Sequence, residues 1–330
     1  MSNVEKCKKY MQKQGLMGIK TFDFKLDEEK DKVTLKKYYE SEQDFRVIEI
    51  PEFVTDIAKV KNVYIVDMVD KSLFDGVRQS LKVINKSKMT DMSYLFMNYS
   101  GRELDLSDFS TKGVKNMKAM FFNSDIKELK LGDEFDTSKV ENMSCMFYDM
   151  DNIESIDTSK FNTSKVKNMS SMFSGCEKLK SIDVSNFNTS KVKDMSSMFS
   201  GCEKLKSIDV SNFNTSKVNK MNSMFAGLKL TSIDVSSFDT RNVKCMEYMF
   251  SGCRSIAEIN LSNFRADSLD QSYGMFQFCE NLRRLDLSNF DTNSLDEYSI
   301  MNMYDRAYKL VRVVSPDPRL EIDRIDTEKD

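Results

Sequence analysis

Residues 169–192 read MSSMFSGCEKLKSIDVSNFNTSKV, and the same letters recur without change at residues 195–218, which gives a repeat period of 26 residues. Looser copies continue in both directions, and two phenylalanine columns follow them at steps of 25 or 26 residues. The columns are Phe109, Phe135, Phe161, Phe187, Phe213, Phe238, Phe264 and Phe290, and Phe96, Phe121, Phe147, Phe173, Phe199, Phe225, Phe250 and Phe276. A fixed period of this length predicts a stack of similar units, a solenoid.

The first half of each unit has helical spacing. Val166, Met169, Met172 and Phe173 fall at i, i+3, i+6 and i+7, which predicts one apolar face of a short helix. We expect the hydroxyls of the preceding Thr163 and Ser164 to cap its first N–H groups, and Gly175 to end it.

The second half of each unit alternates like a strand. Ile182 and Val184 alternate with polar neighbours between Leu179 and Phe187, which predicts a short strand with one buried face. One unit is too small to bury its own apolar side chains, so neighbouring units must stack, with strands about 4.8 Å apart. The predicted fold class is therefore an α/β solenoid of strand-turn-helix units.

The pattern N-M-S-S-M-F-S-G-C-x-x-L-x-S-I-D-V-S-N-F-N-T-S-K-V, which covers roughly residues 89–314, resembles the 26-residue Met-Phe repeat of BspA-type bacterial surface proteins. The resemblance implies a leucine-rich-repeat-like stack of about eight to nine 26-residue units. It also implies an adhesin or protein-interaction module whose strand face is the concave one. Met suits the helix–strand seam because its flexible thioether fills irregular gaps beside the Phe rings.

The ends of the chain depart from the repeat. Residues 1–80 predict a helix and several strands, at Asn3–Gln14, Ile19–Phe24, Lys32–Leu35, Phe45–Ile50 and Val63–Val66. We interpret this segment as an N-terminal α+β cap that covers the open end of the stack; a separate small α+β effector or binding domain is the alternative. Residues 81–315 form the predicted solenoid, with a degenerate last unit at Tyr304–Val314, and residues 316–330 a charged tail.

The composition disfavours most enzyme classes. The 330 residues include no His, so a Ser-His-Asp triad, a Cys-His dyad and a His-ligated zinc site are excluded. No P-loop, G-x-G-x-x-G or H-E-x-x-H motif occurs, and no carboxylate pair stands apart from the repeat. The 49 Lys and Arg against 52 Asp and Glu give a net charge of −3, without a gross basic field for nucleic acid. We expect no catalytic residue, cofactor or metal.

The outward positions of the predicted strands form the candidate partner-binding site. Their middle column is mostly acidic, and Ser columns flank it on both sides. The candidate residues are Asp105, Asp157, Asp183, Asp209, Asp234, Asp286, Ser181, Ser207, Ser185 and Ser211. Carboxylates stacked about 5 Å apart repel one another, and a basic partner would relieve that strain. The alternative is that each Asp bonds nearby Ser hydroxyls and N–H groups and simply solvates the face.

Two further columns have a plainer interpretation. Lysines recur at predicted helix starts, in the column Lys139, Lys165, Lys191 and Lys217 with Lys167 and Lys193 close by, and favour a solvated face over an anion-binding patch. Four of the 7 cysteines share a column, which is Cys176, Cys202, Cys253 and Cys279. Leu228 takes their place in one unit, which favours a reduced, buried ladder over metal binding or redox cross-linking.

The function predicted from sequence is a non-enzymatic scaffold that binds a protein through its strand face and is a monomer when free. We expect no membrane insertion and a cytoplasmic location, because the N-terminus lacks an apolar signal segment and no 18-residue apolar run occurs. One version is an inhibitor or adaptor from a phage or mobile element. The alternatives are a cell-surface adhesin, if an export signal was removed, and a nucleic-acid mimic or binder.

Overall fold

The computed structural model describes residues 22–27, 32–38, 47–50, 74–78, 80–85, 89–293, 295–320 and 322–323. The predicted helix at Asn3–Gln14 and the β-like run at Val63–Val66 lie outside these residues. The chain divides into two compact units, Met1–Asn142 and Met143–Asp330, and each is described by itself.

The first unit holds an antiparallel hairpin and a parallel sheet. Strands β1 (Phe22–Asp27) and β2 (Lys32–Tyr38) form the hairpin, with an irregularity in register between Asp23 and Phe24. The sheet has the order β3-β4-β5-β6, and its strands pair in parallel. The strands are β3 (Val47–Ile50), β4 (Leu81–Asn85), β5 (Glu103–Leu106) and β6 (Glu128–Leu131).

The second unit ends in a sheet of the same kind. Its strands are β7 (Glu258–Asn260), β8 (Arg284–Asp286), β9 (Arg312–Val314) and β10 (Ile322–Asp323), and the helix α1 (Glu297–Met301) lies between β8 and β9. β7, β8 and β9 pair in parallel, whereas β10 pairs antiparallel to β9. The predicted degenerate last unit therefore does supply a strand, β9. The short antiparallel β10 covers its otherwise open edge.

The prediction of a helix in each unit is wrong, because the first half of each unit folds as successive tight turns. The N–H groups of Met169, Ser171, Phe173 and Gly175 donate to carbonyls of the next turn of the solenoid, at 2.7–3.0 Å. The intervening N–H of Met172 closes a turn onto Met169 O at 3.2 Å. Ser171 and Gly175 have φ of 54° and 76°, the left-handed values that the third residue of a type II turn requires.

The physical reason lies in the peptide groups. A helix of two turns leaves most of its N–H and C=O groups without intrahelical partners, whereas the turn ribbon gives alternate N–H groups to the neighbouring turn. Successive turns also place apolar side chains inward every three or four residues, so they imitate helical spacing. Within the described residues the one helix is α1. Asp296 caps the N-terminus of this helix, because its Oδ1 accepts a hydrogen bond from Ser299 N–H at 2.6 Å.

Stacked phenylalanine rings fill the core of each unit. In the second unit the rings of Phe147, Phe173, Phe199, Phe225, Phe250 and Phe276 follow one another with centroids 5.5–6.1 Å apart. Met169 and Met172 are fully buried beside them, as are their equivalents in the next turns. The Met and Phe columns of the sequence are therefore core columns.

The predicted N-terminal cap is not supported, because residues 47–50 and 74–78 continue the solenoid. β3 is an edge strand of the same parallel sheet as β4, β5 and β6. The ring of Phe74 stacks on that of Phe96 at 4.9 Å, and Gly76 N–H donates to Asn98 O at 3.0 Å. Sequence spacing missed this turn because Phe74 precedes Phe96 by 22 residues instead of 25 or 26.

Buried threonines join one turn to the next. Thr189 Oγ1 donates to Asn214 O at 3.0 Å and accepts from Asn214 N–H at 2.8 Å, and Thr163 bonds Asn188 in the same way. Thr163 was predicted to cap a helix, and it instead serves both polar groups of a peptide in the neighbouring turn. The hydroxyl thus replaces a backbone bond where two turns are too far apart to pair directly.

Replacement of Thr189 by Val keeps the shape of the side chain and leaves the N–H and C=O of Asn214 without partners. We expect the free energy of unfolding to fall by about 1–3 kcal/mol, which is the net contribution of two intramolecular hydrogen bonds. Urea denaturation followed by circular dichroism measures it. Thr189→Ser is the control, because it keeps the hydroxyl; equal stability of Thr189→Val and the native protein would contradict this role.

Candidate partner-binding surface

The predicted acidic column is present, but its members belong to two units. Asp105 lies on β5 in the first unit and is half-buried. Asp157, Asp183, Asp209, Asp234 and Asp286 lie in the second unit, where the column continues through Asn260 on β7. Within the second unit, the carboxylates of Asp183 and Asp234 are each close enough to that of Asp209 to feel its charge. The structure therefore brings the middle of the predicted column together.

Each aspartate of the column folds back onto its own backbone. Oδ1 of Asp183, Asp209 and Asp234 accepts the N–H of the serine two residues later, at 2.9–3.0 Å. Asp105, Asp157 and Asp286 make the same bond, at 2.8–3.0 Å. The Ser211 hydroxyl adds a bond of 2.6 Å to Asp209. The predicted strand is present at Asp105 on β5 and at Asp286 on β8, but the structure has no strand at Asp157, Asp183, Asp209 or Asp234. At every one of these positions the Asx turn fixes the direction of the carboxylate.

The same bonds keep the column ionised. Hydrogen bonds from the side chain and the backbone of Ser185 hold the pKa of Asp183 below its usual value, and Ser211 and Ser236 do the same for Asp209 and Asp234. For Asp105, partial burial raises the pKa, but bonds from Ser107 and the charge of Lys130 outweigh it, and the pKa is lowered. The like charges stacked along the column therefore persist at neutral pH.

One carboxylate oxygen of each central aspartate stays available. Asp183, Asp209 and Asp234 are exposed, and in the part of the chain that the structure describes no side chain pairs with their Oδ2 atoms. The flanking serines are exposed on both sides of the column, namely Ser181, Ser207, Ser185 and Ser211. The face of the second unit on which strands were predicted, which we call the strand face, thus presents ionised carboxylates bordered by hydroxyls.

Asparagine side chains tie this face to the preceding turns. Asn212 Nδ2 donates to three carbonyls of the preceding turn, those of Val184, Ser185 and Phe187, at 2.8–3.2 Å. Asn186 and Asn263 make the equivalent bonds to their own preceding turns. The carboxylates are therefore mounted on a backbone whose carbonyls are tied from turn to turn.

The character of the strand face changes near its end. A shallow depression of about 390 Å³ lies over β7, β8 and β9, lined by Glu258, Ile259, Asn260, Arg284, Leu285, Asp286, Arg312 and Val314. Arg284 forms an ion pair with Glu258 at 3.4 Å. The repeat pattern did not predict these charges, because this column is mostly serine in the other turns. Glu258, Arg284 and Arg312 occupy the position of Ser181 in the last turns.

The cysteine column is a buried ladder of thiols. Cys176, Cys202, Cys253 and Cys279 are buried, and each Sγ lies 3.0–3.1 Å from a carbonyl oxygen of the preceding turn. Burial raises the pKa of each thiol, to about 12 for Cys202 and Cys279. A thiolate, the reactive form, is therefore disfavoured in this column.

Within the described residues no group of three or more His, Cys, Asp or Glu is arranged to hold a metal ion. In the same part of the chain, none of the helical structure combines the length and the apolarity that a membrane span needs.

Comparison with known families gives one match. A family described as "Mycoplasma protein of unknown function, DUF285" matches residues 42–132, 64–152, 122–230 and 202–314, which together cover more than half of the chain. Among curated proteins, none is similar enough to this chain to count as a relative.

Solved structures of repeat proteins are also similar. A leucine-rich repeat protein from Bacteroides ovatus is 16% identical, covers 89% of this chain and 93% of its own, and has a TM-score of 0.38. A leucine-rich cell surface protein from Faecalibacterium prausnitzii is 15% identical, with coverages of 91% and 94% and a TM-score of 0.31. A leucine-rich repeat protein from Eubacterium ventriosum is 13% identical, with coverages of 90% and 83% and a TM-score of 0.36.

The lowered pKa values of the column predict a pH dependence of stability. A carboxyl whose pKa is lower in the folded state stabilises the fold above its unfolded pKa, near 4, and loses that contribution as the pH falls through the folded value. In Asp183→Asn/Asp209→Asn/Asp234→Asn the amide oxygen still accepts the turn bond but does not titrate. We expect the urea midpoint of this variant to fall less steeply below about pH 4 than that of the native protein. Parallel slopes would argue against the charged Asx turns.

The thiol ladder predicts selective alkylation of the folded protein. Iodoacetamide should modify the half-buried Cys145 and spare Cys176, Cys202, Cys253 and Cys279 until denaturant is added. Peptide mass spectrometry of protein alkylated with and without urea measures this. Rapid native labelling of the buried column would show that the turns open readily.

Proposed function

The chain belongs to the repeat family described as "Mycoplasma protein of unknown function, DUF285", and from this premise we propose that it is a non-enzymatic scaffold that binds a protein partner through the strand face of its second unit. The partner we propose carries a basic surface. A solenoid suits this role because its repeated outward positions form an extended surface on a stable core.

The observation that carries the proposal is the row of ionised, oriented carboxylates. Asp183, Asp209 and Asp234 each engage Oδ1 in a turn and direct Oδ2 to a surface where no described side chain pairs with it. Hydrogen bonds keep the pKa of each lowered, so their mutual repulsion is not relieved by protonation. Lysine or arginine side chains of a partner would relieve it through charge-assisted hydrogen bonds to Oδ2.

Rigidity supports the same proposal. The Asn212 amide and the Thr189 hydroxyl fix the backbone under the carboxylates, so little conformational entropy remains to be lost on binding. Exposed charges also contribute more to the association rate and to specificity than to affinity. We therefore expect a partner interaction that weakens as salt is added.

The finer features of the proposal concern family and location. We propose that the chain belongs to the BspA-type, leucine-rich-repeat-like branch, whose characteristic feature is the 26-residue Met-Phe unit.

We propose that the interaction takes place in the cytoplasm, because the buried thiols act as hydrogen-bond donors in a reduced form. An inhibitor or adaptor from a phage or mobile element is one version of this role. The adhesin alternative places the protein at the cell surface, and cell fractionation separates the two.

The test is retention of partners from a native bacterial lysate by the immobilised full-length chain. We expect the native chain to retain a stoichiometric protein at low and at moderate salt. The Asp183→Asn/Asp209→Asn/Asp234→Asn variant, which keeps the turn acceptors, should lose most of that protein. Its circular dichroism spectrum and melting temperature at neutral pH are measured alongside.

A matched control removes three carboxylates from another column. Glu177→Gln/Glu203→Gln/Glu280→Gln changes the net charge by the same amount away from the strand face, and should retain the partner. Equal retention by the Asn variant would overturn the acidic strand face as the site. Recovery of nucleic acid alone would overturn a protein partner and favour the nucleic-acid alternative.

A further inference from the structure

A second face of the second unit also runs straight along the stack. Lys193 N–H donates to Lys167 O, Asn219 N–H to Lys193 O, Lys244 N–H to Asn219 O and Asp270 N–H to Lys244 O, all at 2.9 Å. Parallel bridges join the next position, from Asn168 through Asp194, Lys220 and Cys245 to Gln271. We call the outward residues of 165–168, 191–194, 217–220, 242–245, 268–271 and 296–297 the ladder face.

The first turns of the ladder face are basic. Their cations are Lys165, Lys167, Lys191, Lys193, Lys217, Lys220 and Lys244. Lys191, Lys193 and Lys217 are exposed, and no acidic side chain among the described residues pairs with them. One acid lies among them, Asp194, and its Oδ1 is engaged by the N–H and hydroxyl of Ser196.

The last turns of the same face are acidic and aromatic. Asp270, Asp296 and Glu297 are exposed there. A tyrosine ladder adjoins them: the ring of Tyr273 contacts that of Tyr248 at 5.3 Å and that of Tyr298 at 5.1 Å.

The tyrosine ladder is open to solvent and its basic neighbours are already paired. Tyr248 is 36% exposed, Tyr298 is 65% exposed and the nearby Met301 is 76% exposed. Arginines on these turns pair with other acids, Arg265 with Asp267 at 3.2 Å and Arg306 with Asp305 at 3.8 Å, and Arg319, which feels the charge of Glu297, with Asp317 at 2.6 Å. The surface therefore offers tyrosine faces and carboxylates to a cation from outside the unit.

We propose that the occupant of this surface is a second copy of the chain, docked antiparallel by a two-fold axis. The lysine half of each ladder face then covers the tyrosine and carboxylate half of the other, and the two contacts are equivalent, as a two-fold interface requires. Lysine ammonium groups over tyrosine rings gain cation–π attraction, and the exposed acids pair with the remaining lysines.

The spacing of the two halves favours this occupant over an unrelated basic peptide. Both halves are built on one stack, so lysines that recur about every 4.8 Å face rings 5.1–5.3 Å apart. An arbitrary peptide, at about 3.3 Å per residue, has no such match. The sequence predicted a free monomer, because lysine columns and scattered tyrosines do not reveal that one face carries both.

The dimer should be weak and sensitive to salt, since its charges are exposed and screened within about a Debye length. Sedimentation velocity of the full-length chain, over a concentration series at about 0.05 M and about 0.5 M salt, measures it. We expect a concentration-dependent dimer at low salt that dissociates at high salt. A native chain that stays monomeric throughout would overturn the proposal, even if it bound a basic peptide.

Two charge-reversal variants give the sharper test. Lys191→Glu/Lys193→Glu/Lys217→Glu replaces three lysines of the ladder face by acids, and Asp270→Lys/Glu297→Lys replaces two of its acids by lysines; the helix cap Asp296 is left intact. Each variant alone should be monomeric, and an equimolar mixture should form a heterodimer, which also shows that both are folded. Undiminished self-association of either variant, or a mixture that stays monomeric, would overturn the proposal.

A second pair of variants tests the aromatic contact, and the strand-face variant separates this surface from the strand face. Tyr298→Ala should reduce the dimer fraction several-fold, whereas Tyr308→Ala, an exposed tyrosine outside the stacked ladder, should leave it unchanged. Asp183→Asn/Asp209→Asn/Asp234→Asn should dimerise like the native chain, so partner binding and self-association fail independently. Equal dimerisation of Tyr298→Ala and the native chain would remove the aromatic contact from the proposal.

Discussion

The hydrogen bond between a backbone N–H of one turn and a carbonyl of the next is the interaction on which the rest of the structure depends. Around the repeat, Met169, Ser171, Phe173 and Gly175 each donate such a bond, at 2.7–3.0 Å. A turn satisfies these groups only by lying against a neighbour, so no turn is stable alone and stability comes from the interfaces between turns. The pitch of the stack follows from the same bonds, and every side-chain column inherits it.

Each side-chain column has one of three roles: it fills the core, joins neighbouring turns or forms the solvent-exposed surface. Phe and Met fill the centre, with rings such as Phe173 and Phe199 stacked 5.7 Å apart. Thr and Asn join the turns where backbone pairs are absent, as Thr189 does with both polar groups of Asn214. Asp and Lys occupy the outside, where their side chains leave the backbone ladder intact and some form inter-turn ion pairs, such as Lys180 with Glu154 at 2.6 Å. Residues that face solvent can therefore vary from turn to turn, and any binding surface must be sought among them.

Sequence periodicity predicted the core well, because the apolar residues that recur once per period are the buried ones. The Phe, Met and Cys columns are buried, as their spacing predicts, and the aspartates of the second unit at Asp157, Asp183, Asp209 and Asp234 are exposed. Helices were predicted wrongly because the inward spacing of tight turns and of a helix is the same, and only the left-handed φ of Ser171 and its equivalents distinguishes them. Phe74 was missed because its step is short. Tyr248, Tyr273 and Tyr298 were missed because they belong to different repeat positions and meet only in the folded stack.

The shortened unit at residues 226–230 shows which part of the repeat is constrained. The step from Phe213 to Phe238 is 25 residues instead of 26, and the missing residue lies in the corner after Leu228. Phe225 N–H still donates to Met249 O at 2.9 Å, and Gly227 N–H to Ser251 O at 2.7 Å, so the inter-turn bonds are kept. Length thus varies in corners while the ladders hold their register. The proposed partner on the strand face and the proposed second copy on the ladder face would therefore both meet charges at one fixed pitch.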